Sequence, residues 1–197
     1  KGDVVEVQFD IEEELVGSQT SDGTVSIFDA DLNEVKQFKN VQSFAFAPST
    51  DHLAVALRDR IEVWQAPRTE SSKTIKIESD EYIRTMRISE DGQKLPALGN
   101  ESLHLWNLGT GRKIAQAPLA WSSLLATSSD LSSLVIRKHD GTGFVARVDE
   151  NVHIEAEMPR IDKAQFFFDD QQLLIESAQK LKRYSLTPSG SNLVIKE

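Results

Sequence analysis

The side chains that could do chemistry occur in spacings that match no common catalytic arrangement. The serines, among them Ser128, Ser129, Ser132 and Ser133, lie outside any G-x-S-x-G motif and are typical of turns. The histidines show neither the HExxH spacing nor another paired spacing expected of a metal site. These histidines are His52, His104, His139 and His153. We therefore expect no catalytic residue and no metal site.

Two short segments begin like ligand-binding loops but lack what such loops require. Gly109-Thr110-Gly111-Arg112-Lys113 is similar to a phosphate-binding loop, yet the residues that follow alternate like a strand instead of opening a helix. Asp29-Ala30-Asp31-Leu32-Asn33 begins like a calcium loop, yet Glu34 replaces the glycine at the sixth position and Asn40 the glutamate at the twelfth. Both segments are predicted to be hairpin turns.

Composition narrows the possible functions further. The absence of cysteine excludes disulfides, thiol catalysis and cysteine-based zinc sites, and it does not assign a compartment. We expect no cofactor. No apolar run approaches the ~20 residues of a membrane helix, so we expect no membrane partner.

Charge is unevenly distributed along the chain. The net charge is −9, and residues 1–39 hold ten acidic and three basic residues, a net of −7. An acidic chain repels phosphate backbones, so we expect no nucleic-acid partner. The acidic surface could instead steer a basic partner.

The elements that must position any site repeat along the chain with a period of about 40 residues. Apolar residues of two independent columns recur together, the first separated by 36, 42, 42 and 36 residues and the second by 37, 42, 39 and 41. The first column is Phe28, Trp64, Trp106, Val148 and Tyr184; the second is Phe9, Phe46, Ile88, Thr127 and Phe168. Within each unit, apolar and polar residues alternate with the period of half-buried strands. Four short strands per unit indicate a propeller blade.

The third unit carries a family resemblance. Its sequence ISEDGQKLPALGNESLHLWNLGTGRKI resembles the WD40 repeat, which runs apolar-Ser-Pro-Asp-Gly, an apolar strand, Leu-Trp-Asp and Thr-Gly-Lys. FAPSTDHLAVALRDRIEVWQAP and DGTVSIFDADLNEVKQF are weaker copies. No unit keeps the Gly-His dipeptide or Trp followed by Asp, so the usual Asp-His-Ser-Trp relay cannot be assembled.

The resemblance implies an all-β propeller of WD40 type, with five four-stranded blades at about 1–39, 40–78, 79–118, 119–159 and 160–197. The first column should then lie between blades. In such propellers, one face is lined by the loops that lead into each first strand and by the turns between second and third strands. By the resemblance, the loops place five residues in equivalent positions, namely Asp3, Asn40, Tyr82, Trp121 and Asp162. Three more lie two residues further on, namely Gln42, Arg84 and Ser123.

We hypothesise that this face binds another protein. Tyr82 and Trp121 are large aromatics in loops, and aromatics together with arginine are favoured at interface hot spots. Trp121 could equally fold beneath its own loop. The alternative function is an enzyme or small-ligand propeller with a site at the central channel. The first strands of most blades consist mainly of apolar residues or serine, which argues against this alternative. The fold alone establishes neither function.

Three structural expectations complete the sequence reading. Trp106 should be buried between blades, and Pro96 should cause a bulge or face a gap in the strand pairing, since proline cannot donate. His104 should be a structural residue.

Because the chain begins at Lys1 and five blades are few, we expect these blades to be part of a larger ring, with the apolar faces of blades one and five left open. The missing blades would come from further chain or from a partner subunit.

Overall fold

The computed structural model describes residues 2–10, 15–48, 50, 52–65, 71–77, 81–120, 122–149, 151–167, 170–189 and 192–196. These residues form five antiparallel sheets of four strands, and in each sheet the strands pair in chain order. The alternation of Val, Ile, Leu and aromatic residues with polar ones, between turns rich in Asp, Asn, Ser and Gly, explains this arrangement. We call the sheets blades one to five.

The strand bounds follow the chain. Blade one contains β1 (Val4–Asp10), β2 (Leu15–Thr20), β3 (Val25–Phe28) and β4 (Glu34–Phe38). Blade two contains β5 (Ser43–Phe46), β6 (His52–Ala56), β7 (Arg60–Gln65) and β8 (Ser71–Lys76). Blade three contains β9 (Thr85–Met86), β10 (Lys94–Leu98), β11 (Ser102–Asn107) and β12 (Arg112–Pro118). Blade four contains β13 (Ser123–Thr127), β14 (Ser133–Arg137), β15 (Gly143–Val148) and β16 (Val152–Met158). Blade five contains β17 (Lys163–Phe167), β18 (Gln172–Ser177), β19 (Lys180–Ser189) and β20 (Asn192–Lys196).

Both segments that begin like ligand-binding loops are hairpin turns, as predicted. Between β11 and β12, Asn107 Oδ1 accepts from the Thr110 backbone N at 2.7 Å, and Gly111 adopts a φ of 70° that suits glycine. Between β3 and β4, Asp29 Oδ1 accepts from the backbone N of Asp31 at 3.0 Å and of Asn33 at 2.9 Å. The short polar side chains therefore stabilise backbone turns here.

Four apolar clusters hold adjacent blades together, one at each of the four contacts between consecutive blades. Members of the first column pack against the preceding blade: Trp64 against blade one, Trp106 against blade two, Val148 against blade three and Tyr184 against blade four. Trp106 is only 2% exposed, which confirms its predicted position between blades. Phe28 belongs to none of these clusters, because among the described residues no blade precedes blade one.

The blades form an open arc, and the described parts of blades one and five do not close it. In β1, alternate side chains point away from blade two and are exposed: Val5 by 62%, Val7 by 47% and Phe9 by 67%. Phe9, the member of the second column in blade one, lacks the preceding blade that covers Phe46 and Ile88. Phe168, also of that column, lies outside the described residues.

The outward side of β17 is more polar than that of β1. Its exposed residues are Lys163 and Gln165, while Ala164 and Phe166 pack against blade four. Leu181 of β19 is exposed. The expected open apolar face is observed on β1, whereas β17 presents Lys163 and Gln165 together with the half-buried Phe167 on its outward side.

Pro96 faces a gap in the pairing, the second of the two predicted outcomes. β10 pairs with β11 in unbroken register through Pro96 opposite Leu105. On the other side β9 ends at Met86, and Arg87 N donates to Pro96 O at 3.1 Å. The pair lacks the return bond because proline has no N–H.

The described residues include no helix, and so none that is long and apolar enough to cross a membrane.

Candidate functional site

The predicted residues lie at one end of the strands, where each loop meets the turn that follows the second strand. A shared hydrogen bond fixes three of them in the same place of their blades. The backbone N of Gln42, Arg84 and Asp162 donates to the carbonyl of Ala56, Leu98 and Glu176, respectively, each at 2.8 Å. Ala56 and Leu98 are the last residues of β6 and β10, and Glu176 is the last but one residue of β18. We call this end of the arc the loop face.

The same bonds correct one predicted equivalence. Asp162 corresponds to Gln42 and Arg84, not to Asn40 and Tyr82. The residue of blade five that corresponds to Tyr82 is therefore Arg160, two residues earlier. The loop into β17 carries no repeat signal of its own, so the resemblance misplaced it by two residues.

The larger of two cavities on the loop face has a volume of about 910 Å³ and lies against blades one to three. Its lining includes four of the predicted residues: Asn40, Gln42, Tyr82 and Arg84. Tyr82 is 47% exposed, and Asn40 and Arg84 are also exposed. An aromatic ring and a guanidinium are thus presented together to solvent.

The smaller cavity has a volume of about 420 Å³ and lies against blades three to five. Arg84, Ser123 and Asp162 line it, so Arg84 lines both cavities. The structure therefore brings six of the seven described members of the predicted set to one surface that is continuous at Arg84. Asp3 lines neither cavity, and Trp121, the eighth predicted residue, lies outside the described residues.

Some of these side chains also make hydrogen bonds that stabilise the fold. Gln42 Oε1 accepts from the backbone N of Ile83 at 2.9 Å and so ties blade two to blade three. Asp162 Oδ2 accepts from Ala178 N at 2.7 Å, and Asp162 also pairs with Arg160 Nε at 3.1 Å. The Ala178 amide, followed by the Arg160 side chain, lowers the pKa of Asp162.

The sequence reading missed the basic residues of the turns between second and third strands. Arg58 lines the larger cavity, and Arg137 and Lys138 line the smaller one. The resemblance placed these turns on the loop face, and the run Arg137-Lys138-His139 stood in one of them. That run was the available signal.

Two acidic side chains of the cavity walls are held by their own turns. The Thr20 hydroxyl, with the Thr24 amide, lowers the pKa of Asp22 to about 2. The Thr142 hydroxyl and amide lower the pKa of Asp140. Both carboxylates therefore stay ionised as turn acceptors.

His104 lies inside blade three, away from both cavity linings. It is 2% exposed, its ring stacks on Trp106 at 5.1 Å between centroids, and its Nε2 is 3.7 Å from a carboxylate oxygen of Glu81. This is the structural position expected of it. Within the described ranges, no group of three or more His, Asp or Glu side chains is placed to hold a metal ion.

Comparison with known proteins gives the fold. No family model matches the chain, and no curated protein matches it in sequence. The crystal structure of the β-propeller domain of Myceliophteria thermophila Cps50 (Swd1) superposes with a TM-score of 0.71 at 12% sequence identity. The match covers 99% of this chain and 71% of that one. The chain is therefore an all-β, WD40-like propeller of five four-stranded blades, and at this identity the likeness extends to the fold alone.

Proposed function

We propose that this propeller arc is an interaction module that binds another protein through its loop face. The observation that carries the proposal is the convergence of six predicted loop residues on two cavities that share Arg84. A WD40-like propeller is in general a protein-interaction fold, which supports the coarser half of the proposal. The partner itself is a matter for experiment.

Tyr82 is the residue on which the proposal depends most. Tyr82 is 47% exposed, and it lines the larger cavity together with Arg84. Tyrosine and arginine are enriched among residues whose truncation weakens binding by 2 kcal/mol or more. A partner that covers this face should therefore lose much of its affinity when the ring is removed.

Affinity capture tests this role. The full-length protein, as wild type or Tyr82→Ala, is used as bait in extract of its native host, and captured proteins are quantified by mass spectrometry. Ile154→Ala is the matched control, because Ile154 is a large exposed side chain (53%) on β16 that lines neither cavity. We expect Tyr82→Ala to reduce capture of the specific partner about tenfold or more, and Ile154→Ala to leave it unchanged. Equal capture by wild type and Tyr82→Ala, or a loss confined to Ile154→Ala, would place the interface elsewhere.

A further inference from the structure

The smaller cavity of the loop face has a charge opposite to that of the chain. Four cationic side chains line it, Arg84, Arg137, Lys138 and Arg160, against two carboxylates, Asp140 and Asp162. The whole chain carries −9. A local excess of positive charge in an acidic molecule marks a place where an anionic group is favoured.

The two carboxylates of the cavity already accept hydrogen bonds from neighbouring residues. Asp140 Oδ1 accepts from the Thr142 hydroxyl at 2.6 Å and from the Thr142 amide at 2.9 Å. Asp162 accepts from the Ala178 amide and from Arg160. Arg160 is thereby paired with Asp162. Arg84, Arg137 and Lys138 make no direct ion pair among the described residues, although the charges of Arg137 and Lys138 also act on Asp162 and Asp140, respectively.

Backbone carbonyls hold the two central guanidiniums in place. Arg84 Nη1 donates to Ser122 O at 3.1 Å, and Arg137 Nη1 donates to Asp162 O at 3.3 Å. A carbonyl orients a guanidinium without neutralising its charge, and with five N–H donors each group keeps donors for a ligand. Lys138 Nζ lies 5.6 Å from the centre of the Phe144 ring, a cation–π contact that holds a third charge.

We infer that this cavity takes the carboxylate side chains of an acidic segment of the partner protein. The inference rests on the proposed function and specifies the chemistry of the partner. A volume of about 420 Å³ suits a few side chains, and fork-shaped guanidiniums match carboxylates in bidentate geometry.

A nucleic acid fits the surroundings less well. The adjoining cavity includes Glu6 and Asp22, and ten of the chain's 31 acidic residues lie within residues 1–39. A long polyanion that follows the loop face would therefore meet repulsion outside the small cavity.

Fluorescence anisotropy with the full-length protein tests the inference. The probes are labelled hexa-aspartate, a hexapeptide with two phosphoserines among glycines, and a 20-nucleotide oligo-dT. The variants are Arg84→Glu and, as a control with the same change in net charge, Arg112→Glu at the opposite end of the strands, where Arg112 is exposed at the start of β12. Arg84→Gln, which removes the charge and keeps most of the size, decides the result if thermal unfolding shows that Arg84→Glu is misfolded.

We expect hexa-aspartate to bind at low salt, to weaken as salt rises, and to lose tenfold or more in affinity with Arg84→Glu but not with Arg112→Glu. Absence of binding, or equal losses in both variants, would overturn the inference. Binding of the phosphoserine peptide tenfold tighter than hexa-aspartate would replace carboxylate by phosphate as the ligand, and tighter binding of oligo-dT would replace the protein partner by a nucleic acid.

The two proposals fail in different ways. If hexa-aspartate does not bind while Tyr82→Ala still abolishes capture, the acidic ligand is wrong and the loop face stands. If hexa-aspartate binds through Arg84 while capture is independent of Tyr82, the cavity stands and the protein partner lies on another surface.

Discussion

Trp106 shows how a single side chain supports two blades. It is 2% exposed, packs in the cluster between blades two and three, and stacks on the buried ring of His104. The equivalent residue of blade two, Trp64, is only partly buried and contacts Phe38 edge-on at 5.2 Å between ring centres. The two tryptophans therefore differ in how much stabilisation they provide.

Replacing Trp106 by alanine should lower the free energy of unfolding by ~3–5 kcal/mol, because it removes a large buried ring and leaves a cavity. Trp64→Ala is the control of the same type and should cost less. Denaturant unfolding monitored by circular dichroism measures both. A loss of unfolding free energy below about 1 kcal/mol for Trp106→Ala would show that the ring does not stabilise the contact between the blades.

Asp149 makes stability depend on pH. The Asn151 amide, which donates to Oδ1 at 2.9 Å, and then the Arg147 side chain lower the pKa of Asp149 to about 2. In the unfolded chain an aspartate titrates near ~3.9. Because the folded value is the lower one, the stabilisation is present above pH ~4 and is lost as pH falls toward 2.

The denaturation midpoint should therefore decrease between pH 5 and pH 2, and Asp149→Asn should make that decrease shallower. Urea titrations at half-unit pH steps measure it. Asp22→Asn should act in the same direction, since the pKa of Asp22 is also about 2. A decrease equally steep in wild type and Asp149→Asn would contradict the assignment.

At the scale of the blade, alternation in the sequence was enough to predict the strands and their shared faces. Trp64, Trp106, Val148 and Tyr184 all pack against the preceding blade, as their common column indicates. Alternation cannot tell whether a neighbouring blade covers a face, and Phe9 is exposed because no blade among the described residues precedes blade one.

The candidate site, too, could be predicted from the sequence only in part. The repeat predicted which loops share a face, and the structure places Tyr82 and Arg84 there together. The gathering of Arg137 and Arg160 around Arg84 depends on how three blades pack, which no spacing within one repeat encodes. The loop into β17 lacked a repeat signal, so Arg160 was missed.

Gly17 tests the contact between blades one and two. A Cβ at this position of β2 would lie 2.5 Å from Phe44 Cε2 and 2.9 Å from Phe46 Cε2, two rings of the interface cluster. Gly17→Ala should therefore lower the free energy of unfolding by ~1–3 kcal/mol through overpacking.

Gly109→Ala is the control for this change, because the nearest atom to its added Cβ is the end of the flexible Gln93 side chain at 3.0 Å. We expect a cost below about 1 kcal/mol there. Denaturant unfolding compares the pair. Equal stability of the two variants would mean that blades one and two are less closely packed than described.

The open arc is the main feature of the whole molecule. The outward side of β1 exposes Val5, Val7 and Phe9 next to one another, whereas the inward side is tied to blade two through Gln8, whose Nε2 donates to Phe44 O at 2.9 Å. An apolar strand face of this kind is typical of a surface that something else covers. We expect a further blade, from the same protein or a partner subunit, to pack there.

The accessibility of a cysteine at position 9 shows whether this face is covered, since these 197 residues contain no cysteine of their own. In the full-length protein, Phe9→Cys should react with a maleimide at least tenfold more slowly than Ile154→Cys, whose position is exposed on β16. Mass spectrometry of the labelled peptides gives both rates. Equal rates in the assembled protein would show that the face of blade one stays open.

The central claim is that the loop face contacts the partner, and site-specific photo-cross-linking tests it most directly. A photoreactive phenylalanine analogue replaces Tyr82 in one sample of the full-length protein and Ile154 in another, and both are irradiated in the native host. We expect a defined protein adduct from position 82, weakened by Arg84→Glu, and none of comparable yield from position 154. An adduct from position 154 alone, or equal adducts from both positions, would contradict it.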